Sequence, residues 1–281
     1  MDNSKYSFQQ DYDVWLQWNV TSVCNLQCEY CFSPAHRNKL VPFLINIKEL
    51  LSTLKKSEKT FRIGFTGGEP FLVPNFIEAC KEITKCHFIS VNTNLILNKI
   101  SEFVNEIDPA RVLFIHASLH YEELIKKNLL EKFHKNYQLL KEAGFNIYAE
   151  GVAYPGLANM IGEIKHFVES NKIKFEFASF YGKYNNKDYP ESYTDEEVNK
   201  FNLDEHELKK YNQDNRICNA GCNAAVVFAN GNVKSCFQIK DDLGNIYNEI
   251  KFKSDTIICS FKKCGCPLNE YDQNLLNKSK S

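Results

Sequence analysis

Through residue 180, short runs of aromatic and β-branched residues alternate with stretches whose apolar positions recur every three or four residues. The runs predict strands at Val14–Val20, Phe61–Phe65, Phe88–Asn92, Val112–Leu119, Asn146–Ala153 and Lys174–Ser179, since such side chains suit a pleated, half-buried surface. The helical period predicts helices at Ile45–Leu54, Asn75–Thr84, Leu97–Ile107, Glu123–Ala143 and Asn159–Glu169. Pro74 stands just ahead of one helix, where a missing N–H costs nothing, and Gly144 closes another. Alternation of this kind implies an α/β fold with a parallel sheet and outer helices, curling into a partial (β/α)6 barrel over residues 1–180. Chemistry in such folds gathers at the carboxyl ends of the strands.

Past residue 180 the pattern breaks. The polar, tyrosine-rich stretch YGKYNNKDYPESYTDEEVNK reads as a connection, 181–216, of a composition suited to line a substrate cleft, with a short acidic helix over Asp195–Lys210. Lys183 and Lys187 within it suit anionic groups, or simply a solvated loop. In CNAAVVFANGNVKSC, apolar and polar residues alternate around Asn230-Gly231, a hairpin signal. Residues 217–281 thus form a small cysteine-rich module whose core is too small to hold without metal. The tail Asn277–Ser281 is expected to fray.

Composition narrows the function classes. The 281 residues carry 34 Lys+Arg against 35 Asp+Glu, which argues against a broad basic face and a nucleic-acid partner. No apolar run reaches the roughly 18 residues of a membrane span. The N-terminus MDNSKYSFQQDYD lacks the apolar core of a secretory signal, so a cytoplasmic protein is expected. Eleven cysteines are then anomalous, because disulfides are rare in a reducing compartment. They cluster: Cys24, Cys28 and Cys31 in one group, and Cys218, Cys222, Cys236, Cys259, Cys264 and Cys266 in another. Clustered thiols of this kind bind metal. Cys80 and Cys86 stand apart and read as packing residues.

Cys24-x3-Cys28-x2-Cys31 directly follows the first strand. Zinc prefers four ligands; His36 is the one near histidine, and a zinc knuckle with a distant fourth ligand is the plain alternative. Three thiolates on a [4Fe–4S] cluster would instead leave one iron open. The segment, with Tyr30 before the last cysteine, resembles the radical S-adenosylmethionine (SAM) superfamily. The resemblance implies that the open iron chelates SAM, and that an electron, from a reducing protein such as flavodoxin or ferredoxin, splits the sulfonium. The 5′-deoxyadenosyl radical so formed takes a hydrogen atom from substrate, while the protein orients and shields the cofactor.

A second motif lies where the resemblance requires it. In GFTGGEP, Gly67 and Gly68 permit positive φ and close backbone approach to a ligand, Glu69 supplies a carboxylate and Pro70 fixes the exit. Alone, the tetrapeptide is a tight turn; by resemblance it is the loop that binds the SAM amino group. Further matches are Thr93 and Asn94 for the SAM ribose, Ser118 for a polar SAM contact and Glu150 for SAM or substrate. His116 and His120 flank Ser118 as acid–base candidates, or as ordinary core or solvated residues.

The second cluster, C-x12-G-x4-C from Cys218 to Cys236 followed by Cys259, Cys264 and Cys266, resembles the SPASM and twitch extensions of these enzymes, which carry auxiliary [4Fe–4S] clusters. Leu243–Asn248 (LGNIYN) fits the same extension. Six cysteines cannot supply the eight thiolates of two full clusters. One auxiliary cluster is expected, held by Cys218 and Cys236 with two of Cys259, Cys264 and Cys266. Cys222 is left as a ligand or a hydrogen-atom donor; a zinc ribbon is the structural alternative. The implied activity is an oxidoreductase-type radical SAM reaction: dehydrogenation or epimerisation of a small or carbohydrate-like metabolite. A peptide- or protein-modifying maturase is the alternative, weakened because strand one begins near Val14 and leaves no leader-binding extension. A non-catalytic zinc-binding interaction protein is the third reading.

Overall fold

The computed structural model describes residues 12–32, 42–266 and 268; His36 and the tail Asn277–Ser281 lie outside them. Six parallel strands form the body in sequence order: β1 (Val14–Thr21), β2 (Phe61–Gly67), β3 (Phe88–Thr93), β4 (Val112–Ser118), β5 (Ile147–Ala153) and β6 (Phe175–Ser179). Helices α1 (Ile47–Lys56), α2 (Phe76–Thr84), α3 (Ile100–Glu106), α4 (Tyr121–Lys126), α5 (Leu130–Glu142) and α6 (Ile161–Ser170) connect them. Alternation along each strand sorts the two faces. Leu16, Trp18, Ile63, Phe65, Val91, Ile115 and Ala149 are buried in the core shared with helix residues such as Leu50, Leu54 and Phe103. The opposite, inner face is polar: register aligns Asn19 with Thr66, Asn92 with His116 and Tyr148, and Ser118 with Glu150 and Glu176.

Two helices expected as single elements are broken. Asn128, at φ 55°, separates α4 from α5, because asparagine enters the left-handed region at little cost. Asn202, also at φ 55°, ends α7 (Asp195–Phe201), whose start carries a Thr194–Glu197 capping box. Asp204 then caps α8 (Glu205–Lys209) by accepting the Glu207 N–H at 2.8 Å. The tyrosine-rich connection contains a hairpin, β7 (Gly182–Tyr184) and β8 (Lys187–Tyr189), turned at Asn185-Asn186 with φ 47° and 60°. On it Lys183 lies 3.6 Å from Asp188, so neighbouring carboxylate offsets the charge read as an anion site.

The cysteine-rich segment extends the same sheet. It contributes β9 (Ile217–Cys218), β10 (Ala224–Val227), β11 (Asn232–Lys234), β12 (Gly244–Asn245), β13 (Glu249–Ile250) and β14 (Ile257–Ile258). The Asn230-Gly231 turn joins β10 to β11 as an antiparallel hairpin, and β10 pairs in parallel with β1, from Trp15 against Ala224 to Trp18 against Val227. The body sheet therefore runs β13–β12–β11–β10–β1 through to β6. Trp15, Phe88 and Phe114 at the floor of the inner face pack with Cys218, Ala220, Ala224 and Leu268. Arg62, buried there, stacks 4.3 Å over Trp15 and donates to the Tyr12 hydroxyl, so π faces and a hydroxyl replace its lost water. Among the described residues, no helix is long and apolar enough to cross a membrane.

Candidate functional site

The three-cysteine loop leaves the end of β1 and is tied down from every side. Gly68 donates its N–H to Thr21 O at 2.7 Å, and Glu69 its N–H to Val23 O at 2.8 Å. A Cβ on Gly67 would lie 2.1 Å from Thr21 O, and one on Gly68 2.0 Å from Val23 O. The two glycines thus let the backbone of this turn approach the cysteine loop closely. Gly67, at φ +135°, also needs a conformation that other residues resist.

Glu69 is buried and faces inward. Its carboxylate accepts Thr93 Oγ1 and Asn94 N, each at 2.8 Å, and Phe71 N at 3.2 Å. Burial pushes its pKa up to about 7 against the pull of those donors. Asn94 Nδ2 in turn donates to Asn25 Oδ1 at 2.8 Å, inside the cysteine loop. One lattice therefore joins the ends of β1, β2 and β3, and it uses Glu69, Thr93 and Asn94, the side chains that the sequence offered to SAM. Pro70 starts a 3-10 turn that Glu69 caps.

From the other flank, Gln27 N–H reaches Glu123 Oε2 of α4 at 3.0 Å. Tyr30 meets His120 Nδ1 at 3.0 Å and packs 5.3 Å from Tyr154. Burial, then the neighbouring His116, holds the His120 pKa down at about 4, so this imidazole is neutral and anchors Tyr30. His116 differs: it stacks on Tyr148 at 5.2 Å, and its Nε2 lies 3.3 Å from Glu150 Oε1 on the inner face, beside half-buried Ser118. Sequence reasoning named His116 and Glu150 separately and did not pair them; they lie on a two-residue diagonal of the same face of adjacent parallel strands, opposite Tyr148 and Ser118 respectively, which was the available signal.

Leu26 N–H points at the Cys24 sulfur at 3.5 Å. Burial raises the Cys24 thiol pKa, and burial together with the Cys24 charge pushes Cys28 up to about 12; Cys31 is exposed. Without metal these two thiols are protonated at neutral pH, so loading releases protons. The loop supplies three thiols, soft donors of the kind an iron–sulfur cluster takes.

At the other end of the sheet, Cys218, Cys236, Cys259, Cys264 and Cys266 line one cavity with Gln213, Phe237, Gln238, Ile257, Phe261 and Leu268. Backbone bonds strap the terminal segment into place: Gln213 N to Lys262 O, Cys259 N to Arg216 O and Cys264 N to Tyr211 O, at 2.8–3.0 Å. Cys222 is not on that wall; its thiol faces Ser254 O at 3.8 Å. Among the described residues, no three His, Cys, Asp or Glu side chains gather tightly enough for a single metal ion.

The chain matches the Radical SAM superfamily over residues 18–168. It is 25% identical over 197 residues to a GTP 3′,8-cyclase of Aliarcobacter butzleri, covering 66% of this chain and 60% of that protein. Across the curated relatives matched, the alignments span 25% to 60% of the relative's length. Among solved structures, native anSMEcpe with bound AdoMet superposes with a TM-score of 0.62 at 19% identity, covering 83% of this chain and 77% of that one. Streptococcus suis SuiB bound to the precursor peptide SuiA gives a TM-score of 0.55 at 17% identity, covering 84% of this chain and 63% of that one.

Proposed function

Because the chain belongs to the radical SAM superfamily, we propose that it removes a hydrogen atom from a small, hydroxyl-bearing metabolite held on the polar inner face of the sheet, and oxidises or epimerises it. A [4Fe–4S] cluster with SAM supplies the radical chemistry when bound, and Cys24, Cys28 and Cys31 would hold it. The remaining work belongs to this chain's side chains. The Glu69–Thr93–Asn94–Asn25 lattice and the Tyr30–His120 bond keep the cysteine loop in one conformation. The floor of Trp15, Phe88 and Phe114 shields the inner face from the solvent beyond it. The C-terminal cavity is proposed to hold an auxiliary iron–sulfur centre, with a reducing electron-transfer protein as donor.

The observation that carries the substrate reading is the His116–Glu150 pair among Asn92, Ser118 and Tyr148, an inner face rich in hydrogen-bonding groups. His116 Nε2 and the Glu150 oxygens are placed to accept a substrate hydroxyl or to hold its proton. A peptide substrate is the second reading, favoured by the fold shared with SuiB, whose structure holds a precursor peptide. The test is anaerobic reconstitution with iron and sulfide, followed by SAM, a reductant and cell extract in deuterated solvent. The expected result is about eight irons per chain, formation of 5′-deoxyadenosine, and a small-molecule product that gains deuterium or loses two mass units. Label confined to peptides supports the second reading. A protein that binds zinc and leaves SAM intact refutes both.

A further inference from the structure

Resting on the reading that a hydroxyl-bearing metabolite occupies the inner face, we propose that a notch over Gly64 takes a second hydroxyl of that substrate through Trp15, Gln17 and Ser90, which makes the substrate a polyol. Gly64 stands inside β2, where glycine weakens a strand and marks a bulge, a bend or the close approach of a ligand or another backbone. No bulge explains it: β2 keeps regular register there, with Gly64 opposite Gln17 of β1 and Ser90 of β3. Its φ is not left-handed, and no backbone lies among the three nearest atoms. Those atoms, measured from a Cβ built on Gly64, all belong to polar side-chain groups: Gln17 Oε1 at 2.5 Å, Ser90 Oγ at 3.2 Å and Trp15 Nε1 at 3.2 Å.

The indole N–H decides between packing and a ligand. Trp15 is 3% exposed, and among the described residues its Nε1 has no hydrogen-bond partner. The other tryptophan, Trp18, donates to Phe228 O at 3.2 Å. Buried N–H groups are almost always paired. Were Gly64 present only to make room for its neighbours, the Gln17 carbonyl would be the ready acceptor, yet it does not take this proton. Arg62, stacked 4.3 Å over the ring, holds the indole in place. A hydroxyl seated over Gly64 accepts from the indole N–H, donates to Gln17 Oε1 and takes either role with Ser90. A carboxylate has no proton to donate and would meet the Gln17 oxygen with like charge. Gly64 and Ser90 share a row that lies one step, about 7 Å along the strands, below the row of Asn92 and His116. One hydroxyl at the His116–Glu150 pair and another in the notch describe a carbohydrate-like polyol.

The two indole N–H resonances of the full reconstituted chain are followed by NMR, with Trp15→Phe identifying the Trp15 signal, while glycerol or sodium acetate is added to molar concentration. Glycerol shifts the Trp15 signal and leaves that of Trp18 in place. Gly64→Ala fills the notch and abolishes the shift; its Cβ first meets the free end of the Gln17 side chain, so the urea midpoint holds. Ser90→Ala leaves the notch open and needs more glycerol for the same shift. With cell extract that yields product, Gly64→Ala raises the half-maximal extract concentration about tenfold. A Trp15 signal that ignores glycerol, moves only together with Trp18, moves with acetate alone, or responds unchanged in Gly64→Ala or Ser90→Ala overturns the proposal, as does an unchanged half-maximal concentration. SAM cleavage is measured on the same samples. Cleavage without a Trp15 response leaves the radical reading standing, and a response without cleavage supports the notch and sinks that reading.

Discussion

Replacing Glu69 with glutamine tests whether a buried carboxylate braces the strand ends. The carboxyl is fully enclosed, with a pKa of about 7 against an ordinary 4.5, and burial is the leading cause. A folded-state pKa raised in this way means that the native state holds a proton which the unfolded chain has lost between pH 4.5 and 7. Stability contributed by the protonated form is complete below pH 4.5 and drains away as pH rises through 7. A shift of about 2.5 units corresponds to about 3 kcal/mol across that window. Glutamine does not titrate, so Glu69→Gln removes this slope. Its amide N–H₂ faces Asn94 N–H, or Thr93 Oγ1 and Phe71 N–H, as the O–H of the protonated acid does, so the two neutral groups share the cost of that mismatch. The variant should therefore match the parent near pH 5 and exceed it by up to about 3 kcal/mol at pH 8. Urea midpoints read by Trp15 and Trp18 fluorescence at several pH values measure both curves, and the difference between them cancels every other titrating group. Parallel curves from pH 5 to 8 would show that Glu69 is not held as described.

Four further outcomes follow from the same geometry. Cys28→Ala keeps its far-UV circular dichroism, loses about four irons and makes no 5′-deoxyadenosine; unchanged cleavage refutes the ligand role. Gly68→Ala drives a Cβ into Val23 O, 2.0 Å away, and should lose about 3 kcal/mol of stability in urea titrations, whereas Gly162→Ala, with open space around it, should lose none. Tyr30→Phe removes the hydroxyl partner of part-buried His120 Nδ1 and should cost about 1 kcal/mol, seen as a lower melting temperature; an unchanged one rejects the Tyr30–His120 anchor. His116→Ala should keep substrate-free SAM cleavage but lose product formation at least tenfold, and equal losses of both would move His116 to the SAM side.

Much of the fold was legible because strands buried on the helix side leave dense β-branched and aromatic runs, and all six body strands lie where those runs lie. Helix ends were less legible. Lys126-Lys127-Asn128 keeps helical composition on both sides, and only the φ of Asn128 reveals the break. Cysteine spacing marked both thiol groups, yet spacing does not say which thiols share a cavity wall, so the separation of Cys222 from the other five required the structure. Glu69, Thr93 and Asn94 were found by motif; that they also hydrogen-bond one another is a matter of packing. The pairing of β10 with β1 was invisible for a further reason. It joins residues some two hundred positions apart, and no local pattern announces its partner.

That pairing bears on how the chain is made. As a ribosome delivers the protein, β1 can gain β2 within moments, but its other edge waits for β10, some two hundred residues later. Until then a tryptophan-bearing strand has unpaired amides and carbonyls along one side, an invitation to association between nascent chains. Timely arrival of the C-terminal segment thus guards solubility during biosynthesis, quite apart from any part it plays in turnover.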